Sequence, residues 1–252
     1  MPMMERPEGG QTRLLKLILT GLIGTVLLVL CGSGVWGILQ DERKGSSAAA
    51  APTAPPTELP VDISSREVDE KPLTVAEVFP TKEIVIDKAS PPYRLIATQA
   101  NADCRVAADG QLKGMLVTAG CSQVVRATLK SPTNDYLVTG GIFNMETADS
   151  ASEAYAQVKT VVDGGKGRFK GYVSSAVTKP LALSSTHLGW DYQGHFLVYC
   201  VIARVDGKEF AEGDPFAKQI LYDMIEVHLL GSVVKNRATI KVDPSDPVEP
   251  SP

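Results

Sequence analysis

From Leu17 to Leu39 the chain runs for 23 residues without a charged side chain, and no other feature restricts its placement so tightly. At ~1.5 Å per residue such a stretch makes a helix of ~35 Å, slightly longer than the ~30 Å hydrocarbon thickness of a bilayer. Arg13 and Lys16 stand just before it, whereas Asp41-Glu42-Arg43-Lys44 follows with no net charge. Positive side chains favour the cytoplasmic side. The expectation is a single-pass signal-anchor: residues 1–16 cytoplasmic, 17–39 in the lipid bilayer of the cell membrane, and the rest extracytoplasmic. Cys31 admits a second reading, as the acylated first residue of a lipoprotein. Against it, Leu30 occupies the site where a lipoprotein signal carries a small residue, and Val35-Trp36-Gly37-Ile38-Leu39 stays apolar afterwards.

Beyond the span the composition changes. Residues 40–72 include "GSSAAAAPTAPPTELPVDISSREVDEKP", a stretch too poor in apolar side chains to offset its ordering entropy, so a disordered, semi-extended linker is expected. A disordered acidic tail is expected over 239–252. Between them, 73–238 is long enough for one domain with its own core. Three of the 25 basic and two of the 29 acidic residues precede the span, leaving 22 and 27 outside it and a net of −5. That balance excludes a nucleic-acid binder.

Helical periodicity is clearest in "SASEAYAQVKTVVDGG", where Ala151, Ala154, Tyr155, Val158, Val161 and Val162 share a stripe. Ser150 and Glu153 read as a capping box and Gly164 as the stop. "DPFAKQILYDMIEVHLLGSVV" predicts a second helix, with Asp214 as N-cap and Pro215 at the first helical position. A weaker third spans Gln111 to Ala119. "QVVRATL" and "YLVTGGIF" alternate around a turn and predict a hairpin, with Val125, Ala127 and Leu129 opposite in sense to Val124, Arg126 and Thr128. "FKGYVSS" reads as a short edge strand. A second hairpin turns near Gln193-Gly194, its return strand apolar on both faces as a central strand would be. The fold class is α+β, an antiparallel sheet with packed helices, and a ferredoxin-like arrangement is one candidate.

Cys104 and Cys121 bracket the weak helix and are the disulfide candidate; a Cys121–Cys200 bridge is the alternative. The only cluster with catalytic residue types is His187, Asp191, His195 and Cys200 on the second hairpin. A two-residue turn at Gln193-Gly194 would set His187 opposite Cys200 as a thiol–imidazole dyad, but a slip in register destroys the pairing and burial opposes the thiolate. No catalytic residues are therefore assigned. No spacing matches a metal site, and no cofactor is expected. "DGGKGRFKG" follows a helix instead of preceding one, so it is a turn and not a phosphate loop. Lys159, Lys166, Arg168 and Lys170 around it form a candidate anion patch. Gly140-Gly141 reads as a bulge or a close-packing site.

"AEVFPTKEIVI", "GCSQVVRATL", "GHFLVYCVIARVDGK" and "DPFAKQILYDMIE" resemble uncharacterised single-pass membrane proteins of high-GC Gram-positive actinobacteria, from Leu73 to about Ala238. The resemblance implies a cell-envelope location and nothing about mechanism. The functional expectation is a non-enzymatic binding, sensory or envelope-complex module, with an envelope protein or an anionic polymer as partner. The rival expectation is an extracytoplasmic enzyme using the His/Asp/Cys hairpin.

Overall fold

The computed structural model describes residues 57–183 and 185–242. The predicted span 17–39, Cys31 and the acidic tail beyond residue 242 lie outside them. Among the described residues no helix is long and apolar enough to cross a membrane.

Six strands form one antiparallel sheet, in the order β2-β3-β4-β5-β7-β6. They are β2 (Glu83–Ile84), β3 (Tyr93–Asn101), β4 (Gln123–Lys130), β5 (Tyr136–Asn144), β6 (His187–Gln193) and β7 (Phe196–Arg204). Every adjacent pair is antiparallel, so the α+β class holds; but β3, β4 and β5 lie side by side in chain order, so the ferredoxin-like arrangement, which interleaves the strands of two split βαβ units, does not form. Both predicted hairpins form. β7 is paired on both sides and buried from Phe196 to Ala203. β3 escapes the sequence pattern because a bulge between Leu95 and Ala97 interrupts its alternation. "FKGYVSS" makes only a single bridge, Ala108 to Phe169.

Because the strands alternate, the sheet has two cores. On one face Val125, Ala127, Leu129, Val138, Ile142, Val198, Cys200 and Ile202 pack beneath the C-terminal helix. That helix begins as predicted, with α4 (Pro215–Tyr222) capped by the Asp214 carboxylate, which accepts from the Phe216 and Ala217 amides. It then continues as a π-type stretch (Asp223–Val234). Ile220, Met224/Ile225, Leu229/Leu230 and Val233/Val234 recur every four to five residues, and the wider winding keeps all of them buried against the sheet. On the other face Val124, Leu137, Phe143, Leu197, Tyr199 and Val201 pack against α2 (Gln111–Thr118) and α3 (Ala148–Asp163). The α3 cap lies three residues upstream of the predicted box: Thr147 and Ser150 satisfy each other's backbone amides. Gly140 and Gly141 interrupt neither ladder and are close-packing sites. A Cβ on Gly140 would meet the Met224 side chain at 2.8 Å and one on Gly141 the Tyr199 ring at 2.5 Å.

The predicted linker ends earlier than Pro72. β1 (Thr57–Pro60) pairs with β8 (Thr239–Val242), so the tail likewise starts later than residue 239. Residues 61–72 are strapped across the domain. Ile63 O accepts from the His195 amide, Ser64 O from the Ala148 amide, and the Arg66 amide donates to Glu146 O. Arg237 binds Asp69 through Nε at 2.5 Å and Glu77, on the single-turn helix α1 (Val75–Val78), through Nη1 at 2.7 Å. Charge pairing and backbone hydrogen bonds hold this segment, which is why its low apolar content is a poor guide to its order.

Candidate cleft on the second sheet face

The second face is not fully covered. Arg126 sits in the middle of β4, its backbone opposite Gln99 on β3 and Gly141 on β5. Gly141 has no side chain, and that absence leaves room for Arg126 beside Tyr199; a Cβ there would lie 2.9 Å from the Arg126 Cβ. The arginine is only 4 % exposed. Its Nε donates to Gln99 Oε1 at 2.8 Å, its Nη1 to the Lys170 carbonyl at 3.3 Å, and its guanidinium carbon lies 5.0 Å from the Tyr172 ring centroid.

Residues 166–173 cross this face as a second strap. The Gln111 amide donates to Lys166 O, the Asp109 amide to Arg168 O and the Lys170 amide to Ala107 O. Asp109 Oδ1 accepts from the Arg168 amide at 2.9 Å, and Asp109 Oδ2 lies 3.5 Å from Arg168 Nε. A buried threonine pair completes the attachment: Thr128 Oγ1 donates to Tyr172 O at 2.6 Å and the Tyr172 amide to Thr139 Oγ1 at 2.9 Å. Beneath the strap lies a cleft of about 400 Å3 whose polar lining comprises one carboxylate, Asp109, three cations, Arg126, Arg168 and Lys170, and neutral groups that include Gln99 and Thr186. Val106, Phe169 and Leu181 supply an apolar wall. The disulfide Cys104–Cys121, with 6.3 Å between Cα atoms, stabilises the segment that carries Val106 and Asp109.

The predicted site residues divide accordingly. Arg168 and Lys170 of the candidate anion patch reach the cleft. Lys159 instead pairs with Asp163 one turn along α3, at 2.6 Å, and Lys166 is placed by the turn after that helix. Arg126 was absent from the predicted patch. Its signal was a lone charge inside an otherwise apolar strand, "VVRATL".

The hairpin cluster does not assemble as the dyad. β6 and β7 turn at Gly194-His195, where Gly194 takes φ +56°, one residue later than predicted. The pairing therefore sets Gly189 opposite Cys200 and His187 opposite Ile202. Cys200 is fully buried, and burial pushes its thiol up from the ordinary range. It is free, which removes the Cys121–Cys200 alternative. His187 is exposed, its ring edge-on to Phe210 at 4.2 Å. Asp191 stands near Glu226, whose carboxyl is raised by burial first and by Asp191 second. His195 is buried; its Nδ1–H donates to Ile63 O at 2.9 Å and Nε2 lies 3.8 Å from Asp69. Burial lowers its pKa. It fastens the first strap. Trp190 is half-buried against the edge of the second core, its Nε1–H donating to Tyr155 O at 3.2 Å. Among the described residues no group of three or more His, Cys, Asp or Glu side chains is placed to hold a metal ion.

Comparison of the chain with family models, with curated proteins and with solved structures returns no match. The cleft is accordingly read on its own chemistry.

Proposed function

We propose that this is a single-pass membrane protein, anchored through residues 17–39 with its N-terminus cytoplasmic, whose extracytoplasmic α+β domain is a binding module. Its ligand site is the cleft under residues 166–173. The observation that carries this reading is the cleft itself: about 400 Å3, with polar side chains converging from five separate segments onto an apolar wall, which is how small-molecule sites are usually built. The Cys104–Cys121 disulfide supports an oxidising compartment. The uncharged 23-residue run and its basic N-terminal flank support the anchor and its orientation. An envelope protein or an anionic envelope polymer is the source of the ligand.

Native mass spectrometry of the full chain in lipid nanodiscs, incubated with a small-molecule extract of cell envelopes, tests the site. Wild type should enrich at least one component about tenfold over Ala182→Trp, which places a large ring at the exposed rim of the cleft. Equal recovery by the two proteins would overturn the assignment. Protease added to intact cells should remove residues 57–242; their survival would overturn the orientation.

A further inference from the structure

Resting on the cleft as the ligand site, we infer that it takes a phosphate monoester or a chemically equivalent dianion carrying a small apolar or aromatic group, with Arg126 as the principal anion contact. Arg126 is nine-tenths or more buried and lines the cleft. Among the described residues it makes no ion pair with a carboxylate; its polar partners are two neutral groups, the Gln99 side-chain oxygen and the Lys170 carbonyl. A guanidinium has five N–H donors; two make these bonds, the group also faces the buried Tyr199 hydroxyl, and the remaining donors are left for a ligand. Next to it the Tyr199 hydroxyl is buried, feels the Arg126 charge and has no hydrogen-bond partner of ordinary geometry.

A structural role alone accounts poorly for this arrangement. Two neutral hydrogen bonds and a tyrosine face hold the strap, but a desolvated cation without a counter-charge is a costly way to do it when an apolar side chain would fill the same space. A bound anion supplies the missing charge. Its valence follows from the lining: Arg126, Arg168 and Lys170 against Asp109, which is already engaged by Arg168, leave an excess of two positive charges. A monocarboxylate balances one. A phosphate monoester carries about −1.5 to −2 at neutral pH and offers three acceptor oxygens to the Arg126 donors that the protein leaves over and to the cations beside them. The wall of Val106, Phe169 and Leu181 provides contact for an apolar substituent, and the volume limits that substituent to roughly a single ring.

Titration calorimetry of the full chain in detergent, with phenyl phosphate as probe and inorganic phosphate, benzoate and phenol as controls, decides the matter. Phenyl phosphate should bind tightest, phosphate and benzoate about tenfold or more weaker, and phenol not measurably. Arg126→Gln should weaken phenyl phosphate by about tenfold to a hundredfold, with inaccessibility of Cys200 to thiol reagents confirming that the variant is folded. The exposed change Lys170→Glu, which leaves the core alone, should weaken it severalfold and make the loss of affinity with salt shallower, because one attractive charge is gone. No binding of phenyl phosphate to wild type, or undiminished binding to both variants, overturns the inference. If Ala182→Trp abolishes uptake of an envelope component while Arg126→Gln does not, the cleft stands as a binding site and the anionic ligand class falls.

Discussion

The two faces of the sheet are made from the same strands yet solve different problems. Under the C-terminal helix, β4, β5 and β7 present aliphatic side chains and one thiol, and the few polar groups are paired: Tyr93 donates to Asp223 at 2.6 Å, and His228 Nε2–H to the Val78 carbonyl at 3.0 Å. On the opposite face the alternate residues include Arg126, Thr128, Thr139 and Tyr199, and the cover is short helices and a hydrogen-bonded strap. One face is sealed and the other is left with a recess. A period of two along a strand lets a single sheet carry a sealed face and a recessed one, residue by residue.

That contrast can be broken or sharpened by measuring how the folded portion of the full chain unfolds in urea. The largest effect belongs to the sealed face: Leu229→Ala should cost about 4 kcal/mol, because a fully buried leucine leaves a cavity that the π-type helix cannot close. A loss under about 1 kcal/mol would show that this face is less tightly packed than its burial implies. Reduction of Cys104–Cys121, which closes a loop only on the recessed side, should cost about 3 kcal/mol and enlarge the recess.

The next effect depends on acid. Burial lowers the His228 pKa to about 4, from about 6.5 in the unfolded chain. The unfolded state therefore takes up the proton first, and stability fully present above pH 6.5 is lost as pH falls towards 4. Between pH 7 and 5 the loss should be about 2 kcal/mol. Glu77 and Arg237 line the same hollow as His228, and His195 shifts in the same direction, so the part removed by His228→Gln is the part that belongs to this side chain. An unchanged slope in that variant would assign the acid sensitivity elsewhere. Thr147→Ala, which strips the α3 cap, should cost about 1 kcal/mol. Smallest of all, Arg126→Met should lie within about 1 kcal/mol of wild type without ligand, or be more stable, since it removes a buried charge. A loss of about 3 kcal/mol there would make Arg126 a structural pin.

Much of this architecture was legible in the residues. Both hairpins, the stripe of α3, the Asp214-Pro215 helix start and the pairing of Cys104 with Cys121 rest on local chemistry that tertiary context did not override. What escaped depended on distant partners. β3 has a bulge that hides its period, the 61–72 strap is ordered by Arg237 and His195 far along the chain, and "FKGYVSS" is held by threonine hydroxyls on the sheet instead of a strand neighbour. The hairpin register turned on one residue: Gly194, with its positive φ, and His195 make the turn, and that displacement separates His187 from Cys200. Of the four residues in the candidate anion patch, Arg168 and Lys170 line the cleft. The innermost cation was missed because an arginine in a strand is ordinarily read as solvent-facing, and only the pairing with Gly141 shows that it is not.

Thr57 pairs with Val242, so the polypeptide enters and leaves the folded unit at one spot. A circular permutant that joins these two positions through a few glycines and opens the chain at the exposed Asn134 turn should therefore fold. It would also carry a fluorescent partner at the new ends, away from the original entry point.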